Sequence, residues 1–223
     1  MSRCKPRWKS FALSWATFTT ICCGDFVAAE KHSEELMVLG HERATPQWKA
    51  LGVMYQGLVL SLTGKASEAV PTIISGLSEW RSTGATQLAP LHLSHLAKAH
   101  ADLGQFDDAL RCVGDAMNHA KSTKETWHDA EVHRVAGEIA LMLPKADTAK
   151  AEAYFERALA VARQQQAKSW ELRAAMSLAR LWRDQGKVQQ ARELLAPVYG
   201  WFTEGFETPD LKEAKALLEE LTS

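Results

Sequence analysis

The residues with the most obvious capacity for chemistry are two Gly-Lys pairs, eight histidines and four cysteines. Gly64-Lys65 and Gly186-Lys187 each sit in a short polar turn, where a phosphate-binding loop would place them. Such a loop needs G-x4-G-K-[ST], so that successive N–H groups wrap the phosphates and a hydroxyl reaches Mg²⁺. Val59 and Leu181 stand where the first glycine belongs, and Ala66 and Val188 where the hydroxyl belongs. The segment before each turn has a helical rather than a strand-like pattern. The phosphate-loop reading fails.

His92, His95 and His100 share one helical segment, but no cysteine or carboxylate has the spacing to complete a zinc site. His128 and His133, five apart, fall on different helix faces. The histidines read as partly buried or solvated helix residues. Cys4, Cys22, Cys23 and Cys112 contain neither a zinc-knuckle pair nor a redox CxxC, and read as buried thiols of a reducing cytoplasm. Cys112, between Leu110 and Val113, reads as a core thiol, not a nucleophile. No catalytic constellation, metal site or cofactor is implied.

The elements that must carry these residues are helices. The chain has 223 residues, 46% hydrophobic and 24% charged, with seven prolines and 13 glycines. Ala, Leu, Glu, Gln and Arg favour helix, and no sustained β-branched alternation appears. A formal net charge of −1 argues against a general nucleic-acid binder. Arg3, Lys5, Arg7 and Lys9 precede an apolar run from Phe11 to Cys23, yet that run holds one serine and three threonines, with Ser10 just before it, and no good cleavage site follows. It is too short and polar to span a bilayer.

Ser177 to Leu195 reads SLARLWRDQGKVQQARELL, two apolar-periodic runs joined by a tight turn. The frame Ala179–Gly186–Ala191 recurs as Gly57–Gly64–Ala69 and Ala97–Gly104–Ala109, in part as Gly24–Ala29, and loosely as Gly137–Ala151 with Pro144 at the turn. The anchor alanines 29, 69, 109, 151 and 191 are spaced 40, 40, 42 and 40. Each unit predicts helix A, a glycine turn and helix B, with small residues where the helices approach. One hairpin cannot bury both its faces, so neighbours stack into a solenoid. The expected units run over about 8–45, 46–85, 86–123, 124–167 and 168–205, with a capping helix over 208–222, in one domain spanning 1–223. Thr17, Gly76 and Pro144 depart from the frame, and Pro71 should kink its helix.

This small–Gly–Ala frame resembles the tetratricopeptide repeat, stretched from roughly 34 to about 40 residues, as in sensor regions of maltose-activator-type signalling ATPases. ARQQQAKSWELRAAMSLARLW, GKVQQARELLAPVYGWFTEGFETPDLKEAKALL, LSEWRSTGA and KETWHDAE resemble a narrower group. These are large bacterial proteins that join a class III adenylate/guanylate cyclase-like or DNA-binding domain to a predicted ATPase and a C-terminal helical-repeat region. The resemblance covers about 11–221 and is most specific after Ala151. It implies an all-α, right-handed α-solenoid of TPR-like hairpins, cytoplasmic and non-catalytic, serving as a scaffold or sensor that binds a protein, peptide or effector. The alternatives are a fragment that carries the cyclase or ATPase name of its full-length relatives, or a free-standing adaptor.

By the register of such repeats, Phe11, Phe18, Leu51, Met54 and Leu58 would line an inner groove in the first two units. Lys98 follows in the third, then Glu131, Arg134, Glu138, Arg173, Met176, Arg180 and Arg183. The resemblance thus implies a groove running from apolar to cationic, suited to a partner with an acidic segment, unless the arginines pair with neighbours such as Glu138 and Asp184. Trp8, Phe11, Trp15, Phe18 and Cys22 follow helical spacing, so this apolar stripe is expected to pack on an upstream repeat, and the isolated chain to self-associate or leave this helix frayed. Neither nucleic acid nor membrane is an expected partner.

Overall fold

The computed structural model describes residues 8–222. Cys4 and the basic residues Arg3, Lys5 and Arg7 lie outside them. The described residues form eleven α-helices and no strand. In chain order the odd-numbered helices are α1 (Trp8–Cys22), α3 (Pro46–Leu62), α5 (Ala89–Asp102), α7 (Asp129–Met142), α9 (Lys168–Asp184) and α11 (Pro209–Glu220). Between them run α2 (Phe26–Glu42), α4 (Ala66–Ser82), α6 (Phe106–Thr123), α8 (Thr148–Gln164) and α10 (Val188–Tyr199). The fold is an α-solenoid of helical hairpins, and the chain divides between Gly104 and Gln105 into two compact units.

In the first unit α3 packs on α2 and α4, its sequence neighbours, and also on α1 and α5. Small residues set those approaches. A Cβ on Gly57 would lie 3.0 Å from the Ile73 backbone nitrogen, so α3 and α4 touch almost backbone to backbone. Ala29 and Ala69 have no exposed surface. Thr17, one of the departures from the frame, is buried and donates its hydroxyl to the Leu13 carbonyl at 2.7 Å. The chain runs helically through Pro71.

In the second unit α7, α9 and α11 pack in succession, α7 on α9 and α9 on α11, while α8 and α10 back them. The core gathers Phe155, Leu172, Leu178 and Leu195 with Leu211, Ala214 and Leu217 of α11. Ala151, Ala179 and Ala191 are fully buried there. Gly137 is occupied from the other side by Phe155, whose ring carbon would lie 2.4 Å from an added Cβ. The fourth turn, at Pro144, has no left-handed glycine; Asp147 instead caps α8 by accepting from the Lys150 N–H.

Three sequence expectations are corrected. Met54, placed on a groove, has no exposed surface, because its backbone lies under Gly76 of the partner helix in its own hairpin. Leu51 and Leu58 are likewise buried, so that helix face is core. Cys22 and Cys23, expected to be buried, are exposed at the end of α1, whereas Cys112 is buried.

Candidate functional site

One row of paired charges in the second unit runs across α7, α9 and α11. Along α7, Glu131, Arg134 and Glu138 stand at i, i+3 and i+7, so helical geometry places them on one face. Arg173, Arg180 and Arg183 of α9 follow the same logic, as do Asp210, Glu213 and Glu220 of α11.

At the buried end, Arg134 grips Glu131 through Nη2 and Nε, at 2.6 and 2.7 Å, and its Nη1 reaches Glu138. Arg173 lies 3.7 Å from Glu131 and donates to Asp210 at 2.6 Å. Arg180 donates to Glu213 at 2.9 Å, and Arg183 to Glu220 and Asp184. Side-chain exposure rises along the row, from 1% at Glu131 through 15% at Arg134 and 23% at Arg173 to 40% at Arg180. The inner pairs are thus shielded from solvent and the outer ones screened by it.

The titration of the inner pair follows from this burial. Burial alone would raise Glu131, but the Arg134 guanidinium beside it, with Arg173 and His128 adding, holds it well below the usual carboxylate range. Burial likewise opposes the charge on Arg134 and Arg173, and their carboxylate neighbours overcome it. All these groups are charged across the physiological range. Trp170 packs under Arg173 at 5.1 Å, and His128 lies between the rings of Trp127 and Trp170, 5.1 Å from each.

Every arginine of the expected cationic end is therefore engaged within the chain. Counting Asp184, four guanidiniums face six carboxylates, three of them from α11. Of the other candidates, Lys98 pairs with Asp102 on its own helix. Phe11 is exposed and stacks edge-on with Trp15 at 6.1 Å, and Trp15 with Phe18 at 6.3 Å. Asp210, Glu213 and Glu220 of α11 are not among the residues that the sequence pointed to. The signal that could have found them is their spacing, three carboxylates along one edge of the leucine stripe.

A second charged patch surrounds an open cleft of about 540 Å³ lined by Arg163, Gln166, Lys168 and Trp201. Both cations are tied to the buried Glu171, at 2.9 and 2.7 Å. Among the described residues no group of His, Cys, Asp or Glu could hold a metal ion, and no helix is long and apolar enough to cross a membrane. His92 and His128, expected to be partly buried or solvated, are fully enclosed. Burial raises the Cys112 thiol above its ordinary value, which keeps it protonated and unreactive.

No protein-family model matches this chain, and no curated protein matches it significantly. Solved structures do. A Rap protein complexed with Competence and Sporulation Factor superposes with a TM-score of 0.72 at 16% identity, covering 99% of this chain and 59% of that one. This chain therefore spans less than two thirds of that protein. TPR-like repeats assigned to a Podosopora anserina kinesin light chain match at a TM-score of 0.55 and 14% identity, covering 96% of this chain and 98% of theirs. A variant of the same repeats gives 0.56 and 15%, covering 88% and 96%. At these identities the likeness shows a TPR-like helical-repeat fold.

Proposed function

We propose that this chain is a non-catalytic interaction module whose second unit receives a protein or peptide partner bearing an acidic segment. The observation that carries the proposal is the α9 arginine row itself. Arg173, Arg180 and Arg183 are three guanidiniums at helical spacing that already hold carboxylates in the chain, so the geometry for carboxylate recognition is built. The fold likeness of this chain to part of a Rap protein solved with Competence and Sporulation Factor supports a protein or peptide as the partner class. The resemblance of the stretches after Ala151 to bacterial cyclase-like and ATPase-containing signalling proteins supports a cytoplasmic sensor or scaffold role in such an assembly. Partner binding would then bias the on and off states of the assembly.

The test titrates labelled acidic peptides onto the full chain at low and high salt. Binding should weaken by about tenfold or more in Arg180→Glu/Arg183→Glu, equivalent to roughly 1.4 kcal/mol. It should also fall with ionic strength. Equal binding of acidic and basic peptides, or indifference to the arginine substitutions, overturns the site. Nucleotide turnover by the chain would overturn the non-catalytic reading, and the DNA upstream of Met1 tests the signalling context.

A further inference from the structure

The arginine row that the proposed function assigns to a partner is already occupied by part of the chain. Helix α11 lies along α9 and supplies one carboxylate to each of three arginines, Asp210 to Arg173, Glu213 to Arg180 and Glu220 to Arg183. Between those contacts it lays Leu211, Ala214 and Leu217 into the core. In chemical terms α11 is an acidic amphipathic helix bound to a cationic, apolar seat. With α11 in place the row carries more carboxylate than guanidinium. Without Asp210, Glu213 and Glu220, four guanidiniums would face three carboxylates, Glu131, Glu138 and Asp184. An acidic partner therefore meets repulsion while α11 is seated and attraction once it leaves.

The manner of attachment suits a removable element. Helix α11 has 12 residues, a length marginal for an isolated helix, so it is ordered mainly by what it docks on. Two of its three ion pairs are solvent-accessible, the kind that contribute little and are screened by salt. Among the described helices it packs on α9 and α10, the last hairpin, and a small cleft of about 210 Å³ remains in the α9–α11 seam between Arg180, Arg183, Leu217 and Glu220. The chain leading into it, from Gly200 to Thr208, turns at Gly205 with φ +78° and carries the exposed rings of Trp201 and Phe206, the latter 6.0 Å from the Tyr199 ring of α10.

We infer that the face of α9 bearing Arg173, Arg180 and Arg183 is a binding site for an acidic amphipathic helix, held in cis by α11 and taken by a partner helix of the same pattern when α11 leaves. The pattern is that of α11 itself, carboxylates at the spacing of 210, 213 and 220 flanking apolar residues at the spacing of 211, 214, 217 and 221. The inference rests on the arginine row being the partner's site. If an acidic peptide binds that row while α11 stays docked, the latch fails and the site stands.

The test uses the full chain and, as probe, a labelled synthetic peptide of residues 208–222, TPDLKEAKALLEELT. In amide hydrogen exchange, residues 209–220 should open independently of α9, exchanging about tenfold faster or more. Glu213→Lys/Glu220→Lys places like charges against Arg180 and Arg183 and raises the open fraction. Apparent affinity for the probe rises with that fraction, so the variant should bind about tenfold tighter than the parent chain. Adding Arg180→Glu/Arg183→Glu to the variant restores opposite charges in cis and should abolish the gain. Three results overturn the inference: α11 protected as well as α9, the loosened variant binding the probe no better than the parent, or the loosened variant unfolding α9 together with α11.

Discussion

His92 shows how a single residue sets the response of this fold to pH. It lies on α5 with no exposed surface, and its Nδ1 donates to the Leu88 carbonyl at 2.9 Å in the tautomer that bond requires. Nε2 is buried without a partner, and the Tyr55 ring stands 5.8 Å away. Burial disfavours the charged ring and, against the smaller pull of the Leu88 carbonyl, lowers its pKa from 6.5 to about 4. A folded-state pKa below the unfolded value means that folding favours the neutral ring. That contribution is complete above pH 6.5 and is lost as pH falls towards 4. The total is about 3 kcal/mol at about 1.4 kcal/mol per unit. Glu131 does not enter this window, because its guanidinium neighbours keep it ionised well below the ordinary carboxylate range. His133 does enter it, being lowered to about 4 by burial first and then by Arg157 and Lys121, so His92→Gln should remove only part of the slope. Urea denaturation of parent and variant from pH 7 to 4 measures this. Parallel stability profiles in that range would refute it.

Among the elements, the turns carry a more local lesson. Gly186 closes α9 with a backbone φ of +77°, its N–H bonded to the Arg183 carbonyl at 2.9 Å and the Lys187 N–H to the Trp182 carbonyl at 2.8 Å. Those two N–H groups, which a phosphate loop would have aimed outward, are bound inside the turn. Nothing lies within 4 Å of an added Cβ, so Gly186→Ala tests the left-handed backbone alone and should destabilise by about 1 kcal/mol. Gln166 closes α8 the same way at φ +56°, with the Ala167 N–H on the Ala162 carbonyl at 2.9 Å. Gln166→Gly should therefore stabilise, by roughly 0.5 kcal/mol after the greater freedom of glycine in the unfolded chain is subtracted. Thermal melts of the pair decide it, and shifts in the same direction would break the account. Such features are local, which is why the all-α class and the hairpin alternation were legible in alanine and glycine spacing. The carboxylates that meet the arginines were not, because Asp210 lies 37 residues from Arg173 and its partner depends on how α11 crosses α9. Met54 was misplaced for a related reason. A repeat frame assigns a face, but the close approach allowed by Gly76 decides which neighbour that face meets. The stack of Trp127, His128 and Trp170 escaped as well, since two of its rings precede α7 and the third lies on α9.

At the scale of the whole molecule, the ledger of exposed apolar surface points to α1. Trp8, Phe11 and Trp15 are 66%, 57% and 56% exposed, and the edge-to-face contacts of Phe11, Trp15 and Phe18 make them one continuous strip. Isolated exposed hydrophobic residues are ordinary, whereas adjoining aromatics on one helix face form an adhesive patch. The helix they stand on has no acidic residue in its first turn and no basic residue in its last to complement its macrodipole. The chain is therefore expected to associate with itself through α1 as its concentration rises, by burying this strip against another copy. Trp15→Glu/Phe11→Lys should leave the helical content intact and abolish the association. Light scattering through a dilution series, with hydrogen exchange over residues 8–23, distinguishes the outcomes. A parent chain that stays monomeric throughout, with those residues fully protected, would show that α1 is satisfied within its own unit and needs no partner.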